Sequence, residues 1–448
     1  MAEHTGAPAG PGPDALALDE VVRFTSELIA IDTTNGGGGD CRERPAAEYA
    51  AERLADAGLA PELLERTPGR TNVVARIEGT EPSAPALLVH GHLDVVPADA
   101  GEWRVHPLSG EVRDGVVWGR GAVDMKNTDA MVLAVARHWA RAGVRPRRDI
   151  VIAFTADEEA SAEDGSGFLA DTHAALFEGC TEAVGESGAF TFHADGRELY
   201  PIAAGERGTA WLRLTARGRA GHGSKVNREN AVTSLAAAVA RIGDHEWPLR
   251  LTPTVRAALA ALAELYGVPA DLDAPGFDVD TLLKGLGEAA ELVAPTVRNS
   301  SNPTMLDAGY KVNVIPGRAV AHVDGRYVPG AEEEFRATMD RLTGPDVEWE
   351  FQHHEVAPFA AVDAPVFARM RAAVEEFAPE GHVVPYCMSG GTDAKQFSRL
   401  GIAGYGFSPL RLPRGYDYQA MFHGVDERVP VEALHFGVRV LDRFLRTA

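Results

Sequence analysis

The segment Leu87–Pro97 constrains the fold more than any other stretch of this sequence. It starts as a short apolar run that stops at a glycine, which is typical of a buried strand. His92 stands at its end, and Asp94 follows two residues later. Because ligands and catalytic groups collect at the carboxyl ends of strands in α/β proteins, the pair is a candidate for a metal ligand and its orienting carboxylate. A His-x-Asp pair alone is more often a hydrogen-bonded polar turn, so the interpretation depends on the rest of the chain.

Length and charge limit the class of protein. A chain of 448 residues exceeds one ordinary core and predicts two or three domains. The net charge of −22 argues against nucleic acid or an anionic membrane as a partner. No apolar run is long enough to cross a bilayer, and residues 1–14 have the Gly/Pro/Ala composition of a disordered tail rather than of a signal peptide. The three scattered cysteines suggest neither a disulfide framework nor a cysteine zinc site, so we expect a cytoplasmic protein.

Further acidic and imidazole groups follow other predicted strands. Asp124 lies in a glycine-rich turn before a helix; a nucleotide-binding turn is the alternative, but a G-x-G without a third glycine is weak evidence. The triplet Asp157-Glu158-Glu159 follows the apolar run 150–155, and adjacent carboxylates there repel one another unless a cation neutralises them. An acidic triplet is otherwise usually a solvated surface. Glu186 again follows an apolar stretch, and an isolated His423 precedes the last helix.

The middle of the chain has a different pattern. Its elements are predicted in the order β-α-β-β-α-β, a split βαβ unit: Thr209–Ala216, Asn230–Ile242, Gly309–Val314, Arg318–Arg326, Glu332–Leu342 and Val347–Phe351. We therefore predict an inserted domain at 207–355, with a helical elaboration at about 243–302. Residues 15–206 and 356–448 would form the other domain.

Five motifs follow one another along the chain: His92-x-Asp94-x-Val96-Pro97, Gly119-Arg120-Gly121-x-x-Asp124-Met125-Lys126, Asp157-Glu158-Glu159, Gly390-Gly391-Thr392-Asp393-Ala394 and His423-Gly424. In their order and spacing they resemble those of a known family, the M20 metallopeptidases, and the resemblance extends over nearly the whole chain beyond the N-terminal tail. This family includes aminoacylases, glutamate carboxypeptidases, succinyl-diaminopimelate desuccinylases and cytosolic dipeptidases.

The resemblance implies an α/β fold, with a zinc-exopeptidase-like catalytic domain of mixed sheet flanked by helices. The insert would be a ferredoxin-like α+β lid or dimerisation domain, through which a homodimer could form. It further implies two zinc ions, with cobalt or manganese as substitutes. The residue roles that it implies are these: Asp124 bridging the ions, His92 and Glu186 holding one, Glu159 and His423 holding the other, Asp94 orienting His92, and Glu158 acting as general base.

Substrate recognition is expected on the insert. By resemblance, Asn313 and Arg326 would hold a substrate carboxylate, for which a guanidinium is well suited. His222 would stabilise the oxyanion, in dimeric members from the partner subunit. Gly391 and Thr392 would line the substrate side. An ordinary surface arginine at 326 and a turn residue at 313 remain equally open.

The chain departs from the common family pattern at a few positions. Asn127 stands where glycine is usual, and Gly185 precedes Glu186 where an acid is frequent. The second departure makes Glu186 the least secure ligand, with Glu182 as a distant rival. The long segment 243–302 exceeds what the simplest dimeric members have, which leaves a role of His222 across a dimer open.

The sequence therefore predicts a two-zinc hydrolase that cleaves the amide bond of a peptide or N-acyl-amino acid with a free carboxylate. Its partner would be a small molecule or short peptide. Two alternatives stay open: a hydrolase of a non-peptidic amide or ester in specialised metabolism, and a metal-binding homologue without activity. The retained Glu158 favours an enzyme.

Overall fold

A computed structural model describes residues 12–448, so positions 1–11 of the predicted tail lie outside the described residues. The chain divides into two compact units. The first contains the described residues up to Ala204 together with 360–385 and 392–448, and the second contains 205–359 and 386–391. The predicted insert, 207–355, falls inside the second unit.

The N-terminal part of the first unit alternates helices and strands. Asp14 begins the first helix, because its carboxylate accepts a hydrogen bond from the amide of Ala17 at 2.7 Å. The third helix ends at Gly143, which adopts the left-handed conformation (φ 65°) of a helix C-terminus. The elements are α1 (Ala15–Ala30), α2 (Arg44–Asp56), β1 (Glu62–Glu65), β2 (Thr71–Ile77), β3 (Ala86–His92), β4 (Val112–Arg113), β5 (Val116–Trp118), α3 (Lys126–Ala142), β6 (Ile150–Thr155), α4 (Ser166–Thr172), β7 (Cys180–Gly185), β8 (Phe192–Ala194) and β9 (Arg197–Glu206).

The middle of the chain supplies the elements of the second unit. Its helical elaboration is present as the helices Pro253–Tyr266 and Val279–Gly285 with short 3-10 turns. Thr252 caps the first of these helices by accepting a hydrogen bond from the amide of Val255 at 3.3 Å. The elements are β10 (Gly208–Arg217), β11 (Gly221–His222), α5 (Ala231–Gly243), α6 (Pro253–Tyr266), α7 (Val279–Gly285), β12 (Ser300–Ala308), β13 (Val314–Ile315), β14 (Arg318–Tyr327), α8 (Glu332–Thr343) and β15 (Val347–Glu355).

The C-terminal part completes the chain and ends in an amphipathic helix whose apolar side is buried. The elements are α9 (Pro365–Phe377), β16 (His382–Met388), α10 (Ala394–Ser398), β17 (Ala403–Gly406), β18 (Arg428–Pro430) and α11 (Val431–Thr447).

The large sheet has the strand order β1-β2-β6-β3-β7-β17-β9-β16, with β8 paired to β9. Strand β3 is parallel to both β6 and β7, so the carboxyl ends of these three strands meet at one edge. Every residue of β3 and β6 is buried, which explains the apolar runs at 86–89 and 150–154. The predicted α/β class with a mixed sheet is confirmed.

The sheet of the second unit has the order β12-β14-β10-β15 and is antiparallel throughout. Helices α5 and α8 pack on one face, where Leu235 and Phe335 join the apolar residues of β10 and β14. This is the predicted ferredoxin-like arrangement. The predicted strand Gly309–Val314 is wrong: the second strand is Ser300–Ala308. It is an exposed edge strand that contains Pro303, so it lacks the alternating burial that reveals a strand.

Within the described residues, we find no helix with the length and apolar character needed to span a bilayer.

Candidate metal centre

His92 is the last residue of β3, and its ring is fixed by its own chain. Nδ1 lies 2.9 Å from the backbone carbonyl oxygen of Asp94, so Nδ1–H donates and Nε2 points away from the strand. The carboxylate of Asp94 is 3.6 Å from the same ring nitrogen. The hydrogen bond to His92 thus comes from the backbone carbonyl of Asp94, while its carboxylate lies at ion-pair distance from the ring.

Asp124 lies between the two predicted histidine ligands. Its Oδ1 is 3.1 Å from Nε2 of His92, and its Oδ2 is 3.3 Å from Nε2 of His423. The residue is only 6% exposed. One carboxylate therefore presents one oxygen to each imidazole, which is the arrangement expected of a ligand shared by two cations.

The two groups of side chains around Asp124 each have the composition of a metal site. One is His92, Asp124 and Glu186; the other is Asp124, Glu159 and His423; in each, the possible ligand atoms lie within 4.8 Å of one another. Glu186 follows directly on β7, and Glu159 follows β6, so the parallel strands bring both acids to the edge that ends in His92. The structure thus brings together all five predicted ligands.

The protein alone leaves these groups with an excess of negative charge. Hydrogen bonds to Asp124 and Glu159 raise the pKa of His423 to about 10. The pKa of Glu158 is raised well above its usual value by burial and by Glu186, and that of Glu186 is raised by burial and by Asp124. Crowded buried carboxylates of this kind are stabilised by cations.

The donor set fits a divalent cation. Oε1 of Glu159 is buried and has no hydrogen-bond partner within residues 12–448. A buried carboxylate oxygen normally has a partner, so this one has the capacity to accept a metal ion. Imidazole and carboxylate donors without thiolate suit zinc, and cobalt and manganese to a lesser degree.

Glu158 lies beside these groups without belonging to either. Its Oε2 is 4.0 Å from Nε2 of His92, and its side chain is 16% exposed. A carboxylate that reaches the cluster, stays partly open to solvent and has a raised pKa is suited to take up and release a proton.

Glu427 contacts the backbone of Asp124, a role that the sequence did not predict. Its buried carboxylate accepts from the amides of Gly121, Val123 and Asp124 at 3.1, 2.7 and 3.1 Å, and from Arg120 at 2.7 Å. Glu427 therefore shapes the turn that presents Asp124. The sequence offered one indication of this role, because Glu427 lies four residues after His423. In the structure, Glu427 joins the segment that bears His423 to the turn that bears Asp124.

The predicted substrate residues His222 and Asn313 meet on a two-stranded ribbon of the second unit. Strand β11 pairs with β13, and the amide of Gly223 donates to the carbonyl oxygen of Asn313 at 2.9 Å. His222 is exposed, and its Nδ1 lies 2.8 Å from the hydroxyl of Ser224.

Arg326 lies on β14 and already has an acidic partner. Its Nε and Nη2 contact the carboxylate of Asp324 at 2.7 and 3.2 Å, and Nη1 donates to the hydroxyl of Thr209 at 3.1 Å. Of the two predicted turn residues, Gly391 is exposed and belongs to the second unit. Thr392 is buried in the first unit, where its hydroxyl accepts from the amide of Ala394 at 3.1 Å.

Two acid–histidine groups that share one carboxylate form the kind of site that two-metal hydrolases use. Comparison with known proteins is consistent with this class. The model of peptidase family M20/M25/M40 matches residues 88–447, and the chain belongs to this family. The protein is thus an M20-family metallohydrolase of amide bonds.

The chain is similar to two curated proteins and to a solved structure of this family. The chain is 29% identical over 392 residues to the human N-fatty-acyl-amino acid synthase/hydrolase PM20D1, covering 83% of this chain and 76% of the relative. It is 25% identical over 419 residues to pig (Sus scrofa) aminoacylase-1, covering 89% of each. The fold is similar to the M20 metallo-carboxypeptidase Sso-CP2 from Sulfolobus solfataricus, with a TM-score of 0.71 and 19% identity over 96% of this chain and 99% of that one.

Proposed function

We propose that this protein hydrolyses the amide bond of N-acyl-amino acids that carry a free carboxylate, using two divalent metal ions, with zinc as the expected metal. The observation that carries the proposal is the position of Asp124, whose two oxygens face His92 and His423 at 3.1 and 3.3 Å. The similarity to the N-fatty-acyl-amino acid synthase/hydrolase PM20D1 and to aminoacylase-1 supports N-acyl-amino acids as the substrate class.

The five proposed ligands form the two groups of possible metal ligands described above. His92 and Glu186 would hold one ion, Glu159 and His423 the other, and Asp124 would contact both. When bound, such ions polarise a carbonyl group and lower the pKa of water. The protein's part is to hold these donors at fixed positions, so that little reorganisation is needed on binding. His92, Glu159 and Glu186 lie at or after the ends of β3, β6 and β7, while Asp124 precedes α3 and His423 precedes β18.

Glu158 is the proposed general base. Its carboxylate takes a proton from the attacking water as the oxygen bonds to the amide carbon. It then gives this proton to the nitrogen as the carbon–nitrogen bond breaks, so that the amine leaves neutral and the acyl group leaves as a carboxylic acid. In the metal-free protein, burial and the neighbouring Glu186 raise the pKa of Glu158, which makes its carboxylate a stronger base.

A substrate screen tests the proposed function. The purified protein, loaded with zinc, cobalt or manganese, is assayed against N-acetyl- and N-oleoyl-amino acids, dipeptides, and matched esters and carboxamides. We expect hydrolysis of N-acyl-amino acids that a chelator abolishes and added metal restores. Turnover confined to substrates that lack a carboxylate, or unaffected by the chelator, contradicts the proposal.

Arg326 is proposed to bind the substrate carboxylate. Arg326→Ala should raise KM by about 10- to 100-fold for N-acyl-amino acids, because a hydrogen bond to a charged group contributes about 1.5–3 kcal/mol. For the corresponding carboxamides, in which the carboxylate is replaced by an uncharged amide, KM should rise much less. Kinetics with matched acid and amide substrates measure the difference.

Arg213→Ala is the matched control, since Arg213 lies on β10, the strand paired with β14 in the same sheet, and forms an ion pair with Glu350. It should leave both KM values unchanged. If Arg326→Ala raises KM equally for the acid and the carboxamide substrates, Arg326 does not recognise the carboxylate.

A homodimer formed through the second unit, with His222 acting on a partner's substrate, is also a proposal. It is supported by the exposure of His222 and of the edge strand β12, whose Met305 and Leu306 are 64% and 58% exposed.

A further inference from the structure

The turn that carries Glu158 is held by side chains from other parts of the chain. The amides of four consecutive residues after β6 each donate to a side-chain oxygen. The bonds are Ala156 to Asn72 Oδ1 at 3.0 Å, Asp157 to Glu43 Oε1 at 3.3 Å, Glu158 to Asp94 Oδ1 at 3.2 Å and Glu159 to Asp94 Oδ2 at 3.1 Å. The path of this turn is therefore set by buried polar groups distant in sequence.

Asp94 binds the backbone amides of both Glu158, the proposed base, and Glu159, a proposed ligand. Its two carboxylate oxygens are used for the amides of Glu158 and Glu159, while its backbone carbonyl accepts from the ring of His92 at 2.9 Å. Asp94 is fully buried. A small rotation of this carboxylate would move the proposed base and a proposed ligand together.

Asn35 fixes the carboxylate of Asp94. Its Nδ2 donates to Asp94 Oδ2 at 2.9 Å and to Asp157 Oδ1 at 3.2 Å, and the residue is 3% exposed. An amide nitrogen has two hydrogens and no charge, so it can bridge two buried carboxylates that would otherwise repel each other. Arg70 completes the arrangement by contacting Asp157 Oδ1 at 3.0 Å.

The backbone around Asn35 is itself fixed. The amide of Asn35 donates to the carbonyl of Val95 at 2.8 Å, and the amide of Val95 donates to the carbonyl of Thr33 at 3.1 Å. The hydroxyl of Thr33 donates to the carbonyl of Leu93 at 2.7 Å. The segment that bears Asn35 is thus bonded on both sides to the segment that bears Asp94.

We propose that Asn35 is a positioning residue for the general base: through the carboxylate of Asp94, it fixes the backbone that carries Glu158 and Glu159. This inference rests on the proposed role of Glu158. Asn35 contacts neither the substrate nor the proposed metal ligands in this role, and it acts only through Asp94 and Asp157.

Kinetics give the first test. Asn35→Ala should lower kcat by about 10- to 100-fold, the range typical for groups that orient the residues of a metal site, with KM changed less than about twofold. Asn230→Ala is the matched control, because Asn230 caps α5 in the second unit by accepting from the amide of Val232 at 2.9 Å. It should lower stability by about 1 kcal/mol and leave kcat unchanged. A kcat within twofold of wild type for Asn35→Ala overturns the proposal.

Amide exchange of the metal-free protein gives a test that needs no activity. Hydrogen–deuterium exchange at 156–159 should be at least tenfold faster in Asn35→Ala than in wild type and unchanged in Asn230→Ala. Asn35→Asp keeps the shape of the side chain but loses the Nδ2 donor, so it should show the same faster exchange at 156–159. This variant replaces Asn35→Ala in the experiment if the alanine variant does not fold. Unchanged exchange in Asn35→Asp overturns the proposal even if no N-acyl-amino acid is hydrolysed, so its failure is separable from that of the proposed function.

A double-mutant cycle shows whether Asn35 acts through Asp94. In an Asp94→Asn background, Asn35→Ala should lower kcat by less than about threefold further, since the carboxylate it positions is already gone. An equal loss in both backgrounds means that Asn35 acts by another route and contradicts the proposal.

Discussion

Glu158→Gln is expected to lower kcat by about 10²- to 10⁴-fold, the usual contribution of a positioned general base, without loss of bound metal. Glutamine keeps the size of the side chain but cannot accept a proton from water. Glu158 belongs to neither group of possible ligands, so its replacement should leave metal binding intact. Steady-state kinetics together with elemental analysis of the same preparation measure both quantities.

Glu163→Gln is the matched control for this variant. Glu163 is an exposed acid on the same loop, five residues further along the chain. Its replacement removes one negative charge of that loop and should leave kcat unchanged. If Glu158→Gln keeps more than about a tenth of the wild-type kcat with full metal content, Glu158 is not the base.

Asp124→Ala is expected to remove both metal ions and to lower activity by about 10³-fold or more. Asp124 is the only member common to the two groups of possible ligands found among the described residues, so each site loses a donor. Two-metal sites contribute several kcal/mol to lowering the barrier, and about 1.4 kcal/mol corresponds to a tenfold change in rate. Metal titration followed by elemental analysis measures the loss.

Glu186→Ala and Glu182→Gln complete this experiment. Glu186 belongs to one group only, so its loss should leave about one ion per chain. Glu182, the rival candidate from the sequence, contacts Arg148 instead, and its replacement should leave metal content unchanged. Two ions retained in Asp124→Ala, or loss of metal in Glu182→Gln, would refute the proposed ligand set.

The main features of the fold could be predicted from local patterns. Apolar runs such as 150–155 became the buried strands of the large sheet, and the order of elements in the insert gave its ferredoxin-like sheet. The missed strand β12 shows the limit of this reasoning. An exposed edge strand buries no face, so its sequence does not alternate, and only its pairing with β14 identifies it.

The ligand candidates could be predicted because their motifs resemble those of the M20 family, and because acids and histidines after apolar strands are typical of metal sites. The supporting groups could not, as Asn35 and Glu427 show. Asparagine before a run of glycines is typical of a loop, and a glutamate near a predicted helix is typical of a surface. Their function depends on which distant backbone amide or carboxylate lies within about 3 Å, which no local pattern contains.

The sequence by itself was enough to predict the two-part organisation, from the order of its predicted elements. It was also enough to predict the family and the five ligands, because its motifs resemble those of the M20 family. Only the tertiary structure decided that the carboxylate of Asp94 holds the amides of Glu158 and Glu159, while its backbone carbonyl accepts from the ring of His92. The physical reason is that a hydrogen bond between segments far apart in sequence depends on distances and angles that exist only once the strands have packed.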